Sequence, residues 1–441
     1  MTMEMNLIQM MRNTKAFQFP GVFFSLPEYD GWQAEQMSWH ESVCIGDWSF
    51  APWGVLEGPE ATKLLQDYSI NSFANAPIGQ VKHLVGCTES GKTVAEGILM
   101  RAEEQRYLIS TLPWWQYIAS LGKYDVTYTP EASGSTTLYQ VCGPNSLYLV
   151  EEVSGQSLRD LRFMRYRDIV INGHEVLCTN GLTMSGEIGF ELHFSSEYKD
   201  EIMDVLLEAG AKYGACRLGS RTSMQHIEAA FPTMGFQYLP AIVDFSDELV
   251  RGFGEYIAQS VVANEAQMKL AGSFEAADIS EHFFSPIELG WANHIKFDHE
   301  FRGRAALEAE AANPHRKLVT LEFDKDDVVD VYASLFDEGE TYGFIDVPIR
   351  GFFMTVQNDK VLVDGKLAGI STTPFYSYYF RRTIALAVVD TNLELGSRVE
   401  VIWGDPGTRQ KTIRATVKPA PYKPDKRRTP LDSLPLAFPG I

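Results

Sequence analysis

The stretch from Thr179 to Phe194 constrains the fold of this chain more than any other. Three glycines between positions 181 and 189 mark a loop that uses backbone conformations closed to residues with a Cβ atom. Apolar and polar residues then alternate strictly, with Phe190, Leu192 and Phe194 set against Glu191 and His193. This pattern predicts a strand that leaves a tight turn and buries one face.

Glu191 and His193 share the other face of that predicted strand. A carboxylate in this position can accept two N–H donors from a flat heterocycle. A solvated polar face gives the same pattern, because half-buried strands commonly alternate in this way. The spacing alone leaves both interpretations open.

Composition indicates a globular protein of more than one domain. The chain has 441 residues, 45% of them hydrophobic, and a formal net charge of −20. This length suits roughly three domains with sizeable cores. The acidic balance repels phosphate backbones, so it disfavours nucleic acid as a partner.

The cysteines and the apolar segments predict a cytoplasmic protein. Five scattered cysteines without a C-x-x-C pair fit buried thiols in a reducing compartment. Met1 to Phe19 lacks a basic patch followed by an apolar core, and no window of about 18 apolar residues occurs. We therefore expect neither secretion nor a membrane span, and the sequence says nothing of oligomeric state.

A Gly-Pro turn followed by an amphipathic run occurs twice. Gly58-Pro59 and Gly143-Pro144 open the two copies, 143 − 58 = 85 residues apart, and a glycine-turned hairpin follows each. This spacing is too long for a solenoid unit, so it predicts two similar α+β lobes about a pseudo-twofold axis. A site between the lobes follows from this arrangement.

The predicted class is α+β, with two pseudo-symmetric lobes and a small all-β domain of the barrel or jelly-roll kind. The expected division is an aromatic arm over the site (1–38), a domain of two lobes (39–310), a β-barrel domain (311–425) and an extended tail (426–441). Within the large domain we expect lobes at about 39–135 and 136–240 and a helical connection at 241–310.

Gly86 to Thr93 fits the phosphate-loop pattern G-x-x-x-x-G-K-[ST]. A loop of that kind must run into a helix, whereas Val94 to Met100 alternates like a strand and contains Gly97. The pattern therefore predicts a hairpin rather than a nucleotide site. His294 and His299 are the closest histidine pair, and their spacing predicts structural roles rather than a metal site.

Several motifs together resemble the folate-binding aminomethyltransferase family, whose founding member is the T-protein of the glycine cleavage system. They are the loop ending in Gly189-Phe190-Glu191, Leu218-Gly-Ser-Arg221 with Ile227-Glu-Ala229, Pro286 to Gly290, Phe301 to Arg304, Gly369 to Thr373 and Pro421-Tyr422. Within the family, Lys296 to Phe301 and Tyr332 to Asp337 most resemble the tetrahydrofolate-dependent aromatic O-demethylases that act on vanillate and syringate.

The resemblance implies a tetrahydrofolate site and assigns its residues. Glu191 would hold the pterin, Phe231 would replace a stacked tryptophan, and Glu96 would stand beside the folate nitrogen. Arg221 lies in a family landmark, and Thr111 stands where an arginine is expected near the folate. A carboxylate such as Glu96 can take or give the proton involved when a one-carbon unit arrives.

The chain departs from the demethylases at their catalytic positions. Ser223 replaces a tyrosine, and Asp47-Trp-Ser-Phe-Ala51 replaces a segment with two histidines. A tyrosine of the N-terminal arm is displaced by Val22 or Phe23. The remaining pocket wall is aromatic, which indicates a larger or uncharged aryl substrate; its residues are Phe23, Phe24, Trp48 and Phe50.

Three functional hypotheses follow. The first is transfer of an aryl methyl group to tetrahydrofolate, in which Ser223, His226 or His40 would protonate the leaving oxygen. The second is a lyase that releases formaldehyde from a hydroxymethyl side chain of a lignin-type dimer, with Asp47 or Glu96 as the base and folate dispensable. The third is a folate-binding protein without catalytic activity.

Overall fold

The computed structural model describes residues 7–13, 28–73, 75–111, 113–132, 134–219, 225–258, 268–346 and 355–440. Within these ranges, no helix is long and apolar enough to cross a membrane. The chain forms two mixed sheets with helices packed on them, followed by a closed barrel.

Ten helices and strands lie in the described residues up to position 130. They are α1 (Leu7–Asn13), α2 (Trp32–Glu41), β1 (Val43–Asp47), β2 (Trp53–Glu57), α3 (Ala61–Tyr68), β3 (Val81–Cys87), β4 (Thr93–Glu103), β5 (Arg106–Thr111), α4 (Trp114–Ser120) and β6 (Thr127–Pro130). Five of these strands form the first sheet, in the order β3-β4-β5-β2-β6. Helices α3 and α4 cover one face of it with a core that includes Leu64, Leu65 and Trp115.

The next part of the chain repeats this plan. Its elements are β7 (Thr136–Cys142), α5 (Ser146–Ser154), β8 (Arg165–Ile171), β9 (His174–Asn180), β10 (Gly189–Ser195), α6 (Lys199–Gly210), β11 (Ala215–Arg217) and the short α7 (Gln225–Glu228). The second sheet has the order β11-β1-β7-β10-β9-β8. Helices α5 and α6 close its core around Phe190 and Leu206.

The two lobes have the same strand order, which confirms the predicted pseudo-symmetry. The series β3-β4-β5-β2 of the first sheet corresponds to β8-β9-β10-β7 of the second. Helix α5 begins at Ser146 and α3 at Ala61, again 146 − 61 = 85 residues apart. Gly58 and Gly143 have nearly equal φ angles, 132° and 128°. Both therefore occupy a conformation that favours glycine.

One strand does not follow the predicted division of the lobes. Strand β1 was expected in the first lobe, 39–135, but it pairs antiparallel with β7 and parallel with β11. The first five-stranded sheet begins only at β2. The side of β2 that β5 leaves free is instead taken by β6.

The segment after the lobes is less helical than predicted. Between residues 241 and 310 it contains α8 (Glu248–Ile257), β12 (Lys269–Ala271) and the start of α9 (Arg304–Ala312), joined by irregular chain and 3-10 turns. Aromatic residues of this irregular chain, such as Phe284 and Trp291, pack between Val85 of the first lobe and Val388 of the barrel. Filling that junction, rather than helix periodicity, explains their placement.

The C-terminal all-β domain is confirmed as a closed barrel. The elements from residue 316 onward are β13 (Arg316–Phe323), α10 (Lys325–Ala333), β14 (Thr355–Gln357), β15 (Asp359–Val363), β16 (Lys366–Ser377), β17 (Arg382–Asp390), β18 (Arg398–Trp403) and β19 (Lys411–Lys418). The barrel order is β13-β17-β16-β15-β18-β19, and β13 pairs with β19 to close it. Strand β14 instead pairs with β12.

Both ends of the chain pack on other parts of the molecule. Trp32 in α2 makes edge contacts with the rings of Tyr376 and Tyr378 in the barrel domain. The C-terminal segment, predicted as an extended tail at 426–441, buries Leu431 against the second lobe and places Phe438 against Tyr213. Apolar side chains on this segment account for the packing.

Candidate active site between the two lobes

The uncovered faces of the two sheets pack against each other and carry one carboxylate each. Ile98 and Met100 of β4 meet Leu177 of β9 in this interface. Because side chains alternate along a strand, Glu96 faces the same way as Ile98 and Met100. Glu191 lies opposite the core residues of β10 and faces the inter-lobe space as well.

Glu191 lies in a buried patch of hydrogen-bond acceptors. Gln140 Nε2 donates to Glu191 Oε1 at 2.7 Å, and His193 Nε2 lies 3.3 Å from Glu191 Oε2. Thr179 is the register partner of Glu191 on β9, as Gln140 is on β7. Among the described residues, Gln140 Oε1 and Thr179 Oγ1 are buried without a hydrogen-bond partner. The patch therefore has unused capacity to bind donors.

Glu96 is the end of a line of three polar side chains. His83 Nε2 lies 2.8 Å from Glu96 Oε2, and His83 Nδ1 lies 3.1 Å from His294 Nδ1. His83 reaches Glu96 because it pairs with Ile98 in the β3–β4 register, which makes Glu96 its diagonal neighbour. Tyr238 also lies against Glu96: burial, followed by the Glu96 carboxylate, raises the pKa of its phenol well above the ordinary value.

A row of rings connects the second lobe with Glu96. Trp48 stacks on His226 at 5.2 Å, His226 meets Phe231 edge-on at 6.2 Å, and Phe231 lies 5.3 Å from His83. Phe50 packs on the outer side of Trp48 at 5.4 Å. The predicted residues Trp48, Phe50, His226 and Phe231 are thus brought together with Glu96.

His226 and His294 are neutral at physiological pH. Burial lowers the pKa of His226 to about 3. Burial, and then nearby His83 and Arg428, lowers the pKa of His294 to about 3. A histidine with so low a pKa carries no imidazolium proton at pH 7, so His226 is unsuited to the role of general acid that the sequence suggested.

Asp47 and His40 are held away from Glu96. Asp47 lies on the helix side of the second sheet, where Lys199 Nζ pairs with it at 2.7 Å and Ser49 Oγ donates to it. His40 Nε2 lies 2.8 Å from the fully buried carboxylate of Glu228, and its ring stacks on Tyr379 of the barrel domain. The structure therefore corrects two expectations, Asp47 as a base and His40 as an acid at this site, because both side chains are bound elsewhere.

Five predicted site residues cannot be placed. Phe23, Phe24, Arg221 and Ser223 lie outside the described residues, and of Thr111 only the backbone is described, where it pairs with Gly97. Their roles stay predictions.

The phosphate-loop pattern forms a hairpin, as predicted. Residues 88–92 turn between β3 and β4. Lys92 pairs with the buried carboxylate of Glu288 at 3.1 Å. In the ranges that the structure describes, no group of three or more His, Cys, Asp or Glu side chains is arranged to hold a metal ion.

Sequence reasoning missed His83 and did not foresee the contact that His294 makes with it. His299 does have structural contacts, with Asp298 and the carbonyl oxygen of Ser69. His294, in contrast, contacts His83 across 211 residues of sequence. The β3–β4 hairpin register could have placed His83 beside Glu96, but no local pattern could have found His294.

The fold and the inter-lobe site define a two-lobed α+β enzyme scaffold with a C-terminal barrel, which is also seen in a solved structure. The aminomethyltransferase T of the glycine cleavage system from Bartonella henselae aligns with a TM-score of 0.65 over 94% of this chain and 96% of its own. The two sequences are 16% identical, so this comparison concerns the fold alone.

Sequence comparisons identify the family. The model of the GCVT N-terminal domain matches residues 7–243. The sesamin methylene transferase of Sinomonas sp. (strain No.22) is 30% identical over 97% of both chains. The syringate O-demethylase of Sphingobium sp. (strain NBRC 103272 / SYK-6) is 30% identical over 97% of this chain and 96% of its own. This chain belongs to the GCVT aminomethyltransferase family.

Proposed function

We propose that this protein transfers the methyl group of a lignin-type methoxylated aromatic compound to tetrahydrofolate. The observation that carries the proposal is the row of rings Trp48, His226, Phe231 and His83, which ends at the Glu96 carboxylate. Trp48 and Phe231 in this row offer apolar ring contacts to an aryl group, and Glu96 offers a proton acceptor at its end. The similarity to a syringate O-demethylase supports the same reaction class.

Tetrahydrofolate is the cofactor that the family implies, and the patch around Glu191 fits it. A pterin edge presents adjacent N–H donors, and the patch offers a carboxylate together with Gln140 Oε1 and Thr179 Oγ1. A buried acceptor without a partner costs about 1–3 kcal/mol, which a bound donor would recover. When bound, tetrahydrofolate supplies the nitrogen that receives the one-carbon unit.

The remaining roles rest on the resemblance and on the site geometry. Phe231, Trp48 and Phe50 would form the apolar wall for the substrate, together with Phe23 and Phe24. Arg221 and Thr111 would border the cofactor. Ser223 stands at the sequence position of the family tyrosine, so it remains a candidate proton donor to the leaving oxygen.

A second candidate is transfer of a methylene group from a methylenedioxy ring. The observation that favours it is the sesamin methylene transferase, which matches over the same share of this chain and with the same identity as the demethylase. Both reactions take a one-carbon unit from an aryl oxygen. The same pocket wall and the same Glu96 would serve either one.

An anaerobic product analysis tests these proposals. The purified protein is incubated with methoxylated monomers, methylenedioxy lignans and hydroxymethyl dimers, with and without tetrahydrofolate. We expect 5-methyltetrahydrofolate and a demethylated phenol, formed only when folate is present. 5,10-Methylenetetrahydrofolate from a methylenedioxy compound would select the second candidate. Formaldehyde released without folate would contradict both and select the lyase, and folate binding without turnover would select the non-catalytic protein.

Cytoplasmic location belongs to this proposal as well. Methyl transfer to tetrahydrofolate needs the reduced cofactor, which suits the reducing compartment that the scattered cysteines predict. All five cysteines are free thiols in the structure.

A further inference from the structure

A line of hydrogen-bonding side chains runs from Glu96 away from the inter-lobe space. Glu96 lies on β4, His83 on β3, and His294 in the irregular chain after the lobes. His83 Nε2 lies 2.8 Å from Glu96 Oε2, and His83 Nδ1 lies 3.1 Å from His294 Nδ1. Both distances are within hydrogen-bond range. His83 uses both of its ring nitrogens in this line.

Burial changes along the line. The side chain of His83 is 6% exposed, enclosed by the rings of Phe231 and Trp291. His294 at the far end is half-buried. A proton on His83 therefore has no direct route to water, whereas His294 has partial access to it.

The surroundings keep His294 uncharged. His83 faces it on one side, and the cations Arg428, Arg427 and Lys296 lie nearby on other segments, so a further positive charge is disfavoured. Glu96 is faced by His83 and by the phenol of Tyr238. A neutral His294 makes the Nδ1–Nδ1 contact only if one of the two nitrogens carries a hydrogen and the other accepts it.

One resting arrangement satisfies both contacts. His83 donates Nε2–H to the Glu96 carboxylate, and His83 Nδ1 accepts Nδ1–H from His294. In this arrangement each imidazole carries one hydrogen. The Nδ1–H tautomer of His294 is set by its contact with His83.

We propose that His83 and His294 form a proton relay that exchanges the proton of Glu96 with water outside the inter-lobe space. From the resting arrangement, His294 Nε2 takes a proton from water, the hydrogen on His294 Nδ1 passes to His83 Nδ1, and the hydrogen on His83 Nε2 passes to the Glu96 carboxylate. The reverse sequence returns a proton held by Glu96 to water and restores the resting arrangement. Two N–H bonds form and two break, and each imidazole carries one hydrogen before and after. The relay rests on the proposed function, in which Glu96 takes up a proton during one-carbon transfer.

The relay explains how Glu96 is reset in a chain that lacks the family's tyrosine and histidines. Glu96 is the group in contact with the reacting atoms in the proposed function. His83 and His294 act through Glu96, so they are positioning residues. Neither residue was part of the motifs that identify the family.

Nuclear magnetic resonance tests the relay on the free protein. With 15N-labelled histidine we expect a scalar coupling across the hydrogen bond between His83 Nδ1 and His294 Nδ1, with hydrogens on His83 Nε2 and His294 Nδ1. In His294→Phe the His83 Nδ1 signal should shift, because it loses its donor. Absence of the coupling, or a His83 signal unchanged in His294→Phe, would overturn the relay.

Kinetics test whether the relay serves turnover. For His294→Phe and His83→Gln we expect kcat to fall by about 100-fold with KM within about twofold, because a positioned proton-transfer group contributes at least that much. Added imidazole should restore part of the loss in His294→Phe. His174→Phe is the matched control, since His174 forms a similar pair with Glu201 at 3.1 Å on the surface, and its kcat should not change.

The outcomes separate the relay from the proposed function. If both folded relay variants keep wild-type kcat, or if imidazole fails to rescue His294→Phe, the relay in turnover is overturned. If the wild-type protein converts no compound of the panel, the proposed function fails. The coupling between the two imidazoles then still decides whether the relay exists.

Discussion

Glu191 illustrates how a single residue acquires its chemistry from its place in a sheet. Alternation along β10 turns Phe190 and Leu192 into the core and leaves Glu191 on the inter-lobe face. Its carboxylate is buried, accepts a hydrogen bond from Gln140 Nε2, and lies 3.3 Å from His193 Nε2. A buried carboxylate with such partners is placed to receive further donors from a ligand.

Replacement of Glu191 by Gln should weaken tetrahydrofolate binding by about 10- to 100-fold. A hydrogen bond to a charged group is worth about 1.5–3 kcal/mol, and the amide keeps the size of the side chain. Anaerobic titration calorimetry measures the change. Glu197→Gln, at an exposed position close by on the chain, is the matched control. Equal affinities of the two variants would show that Glu191 does not hold the cofactor.

At the level of elements, the two glycine turns fix the start of the equivalent helices. A Cβ added at Gly143 would lie 2.6 Å from the carbonyl oxygen of Ser42, and one at Gly58 would lie 2.5 Å from that of Asp125. No real Cβ atom tolerates such a backbone contact, so both positions need glycine for the approach as well as for φ. Both lobes therefore need glycine at the same position of the repeated unit.

Gly143→Ala should therefore destabilise the protein far more than a glycine replacement at an open helix end. Gly155 also has a positive φ, 64°, but nothing lies within 4 Å of its added Cβ. We expect a loss of more than about 2 kcal/mol for Gly143→Ala and about 1 kcal/mol for Gly155→Ala. Urea unfolding of the two variants provides the comparison. Equal losses would mean that the close approach to Ser42 contributes nothing.

The barrel strand β15 contains a buried acid that makes stability depend on pH. Burial is the main cause that raises the pKa of Asp359 from 3.8 to about 7, and the neighbouring Asp405 adds to it. Because the folded pKa is raised, the native state binds this proton more tightly than the unfolded state. The stabilisation is complete below about pH 4 and is lost as the pH rises through about 7.

Asp359→Asn should remove this part of the pH dependence. Between pH 4 and 7 the wild-type protein should lose up to about 1.4 kcal/mol of unfolding free energy per pH unit through this group. The variant should show a correspondingly flatter curve in urea unfolding across this range. Asp168→Asn, at an exposed position, serves as the control with the wild-type slope. A wild-type slope in Asp359→Asn would contradict the assignment.

Elements with local signatures could be predicted from the sequence. The β3–β4 hairpin, the β9–β10 loop and strand, and five barrel strands each carry their own alternation or turn residues. Strand β1 was assigned to the wrong lobe because the apolar pattern of a strand does not show which strands it pairs with. The chain around Trp291 was predicted to be helical but is irregular. Its packing between the first lobe and the barrel is set by residues far away in the sequence, which a local pattern does not reveal.

The same distinction applies to the site. Glu96, Glu191 and Phe231 could be named because their motifs are local. His83 and His294 could not, because their contact depends on how the irregular chain passes over the first lobe. The neutral state of His226 also depends on burial, which spacing does not reveal.

On the scale of the whole molecule, the C-terminal segment ties the barrel domain to the glycine-rich loop of the second lobe. Lys423 Nζ lies 3.0 Å from Glu187 Oε1, and both side chains are 4% exposed. The backbone N–H of Lys426 donates to the carbonyl oxygen of Gly186 in the same loop. The loop that leads into Glu191 is thus held by residues more than two hundred positions further along the chain.

Lys423→Met should destabilise the protein by about 2–4 kcal/mol, because it leaves the buried Glu187 with only the more distant Lys426 at 3.4 Å. The double variant Glu187→Gln/Lys423→Met should recover part of the loss, since no unpaired buried charge remains. Lys212→Met, which breaks a surface pair with Glu152, should destabilise the protein much less, because solvent screens an exposed pair. Differential scanning calorimetry ranks the three variants, and a double variant no more stable than Lys423→Met would contradict the account.

The fate of the aryl methyl carbon tests the central claim most directly. The wild-type protein is incubated anaerobically with tetrahydrofolate and with syringate, vanillate and neutral methoxyarenes labelled with 13C in the methoxy group. The proposal predicts that the label appears in 5-methyltetrahydrofolate, in amounts equal to the phenol released. Label recovered as free formaldehyde, or left in the methoxy group of every compound while folate is bound, would contradict it.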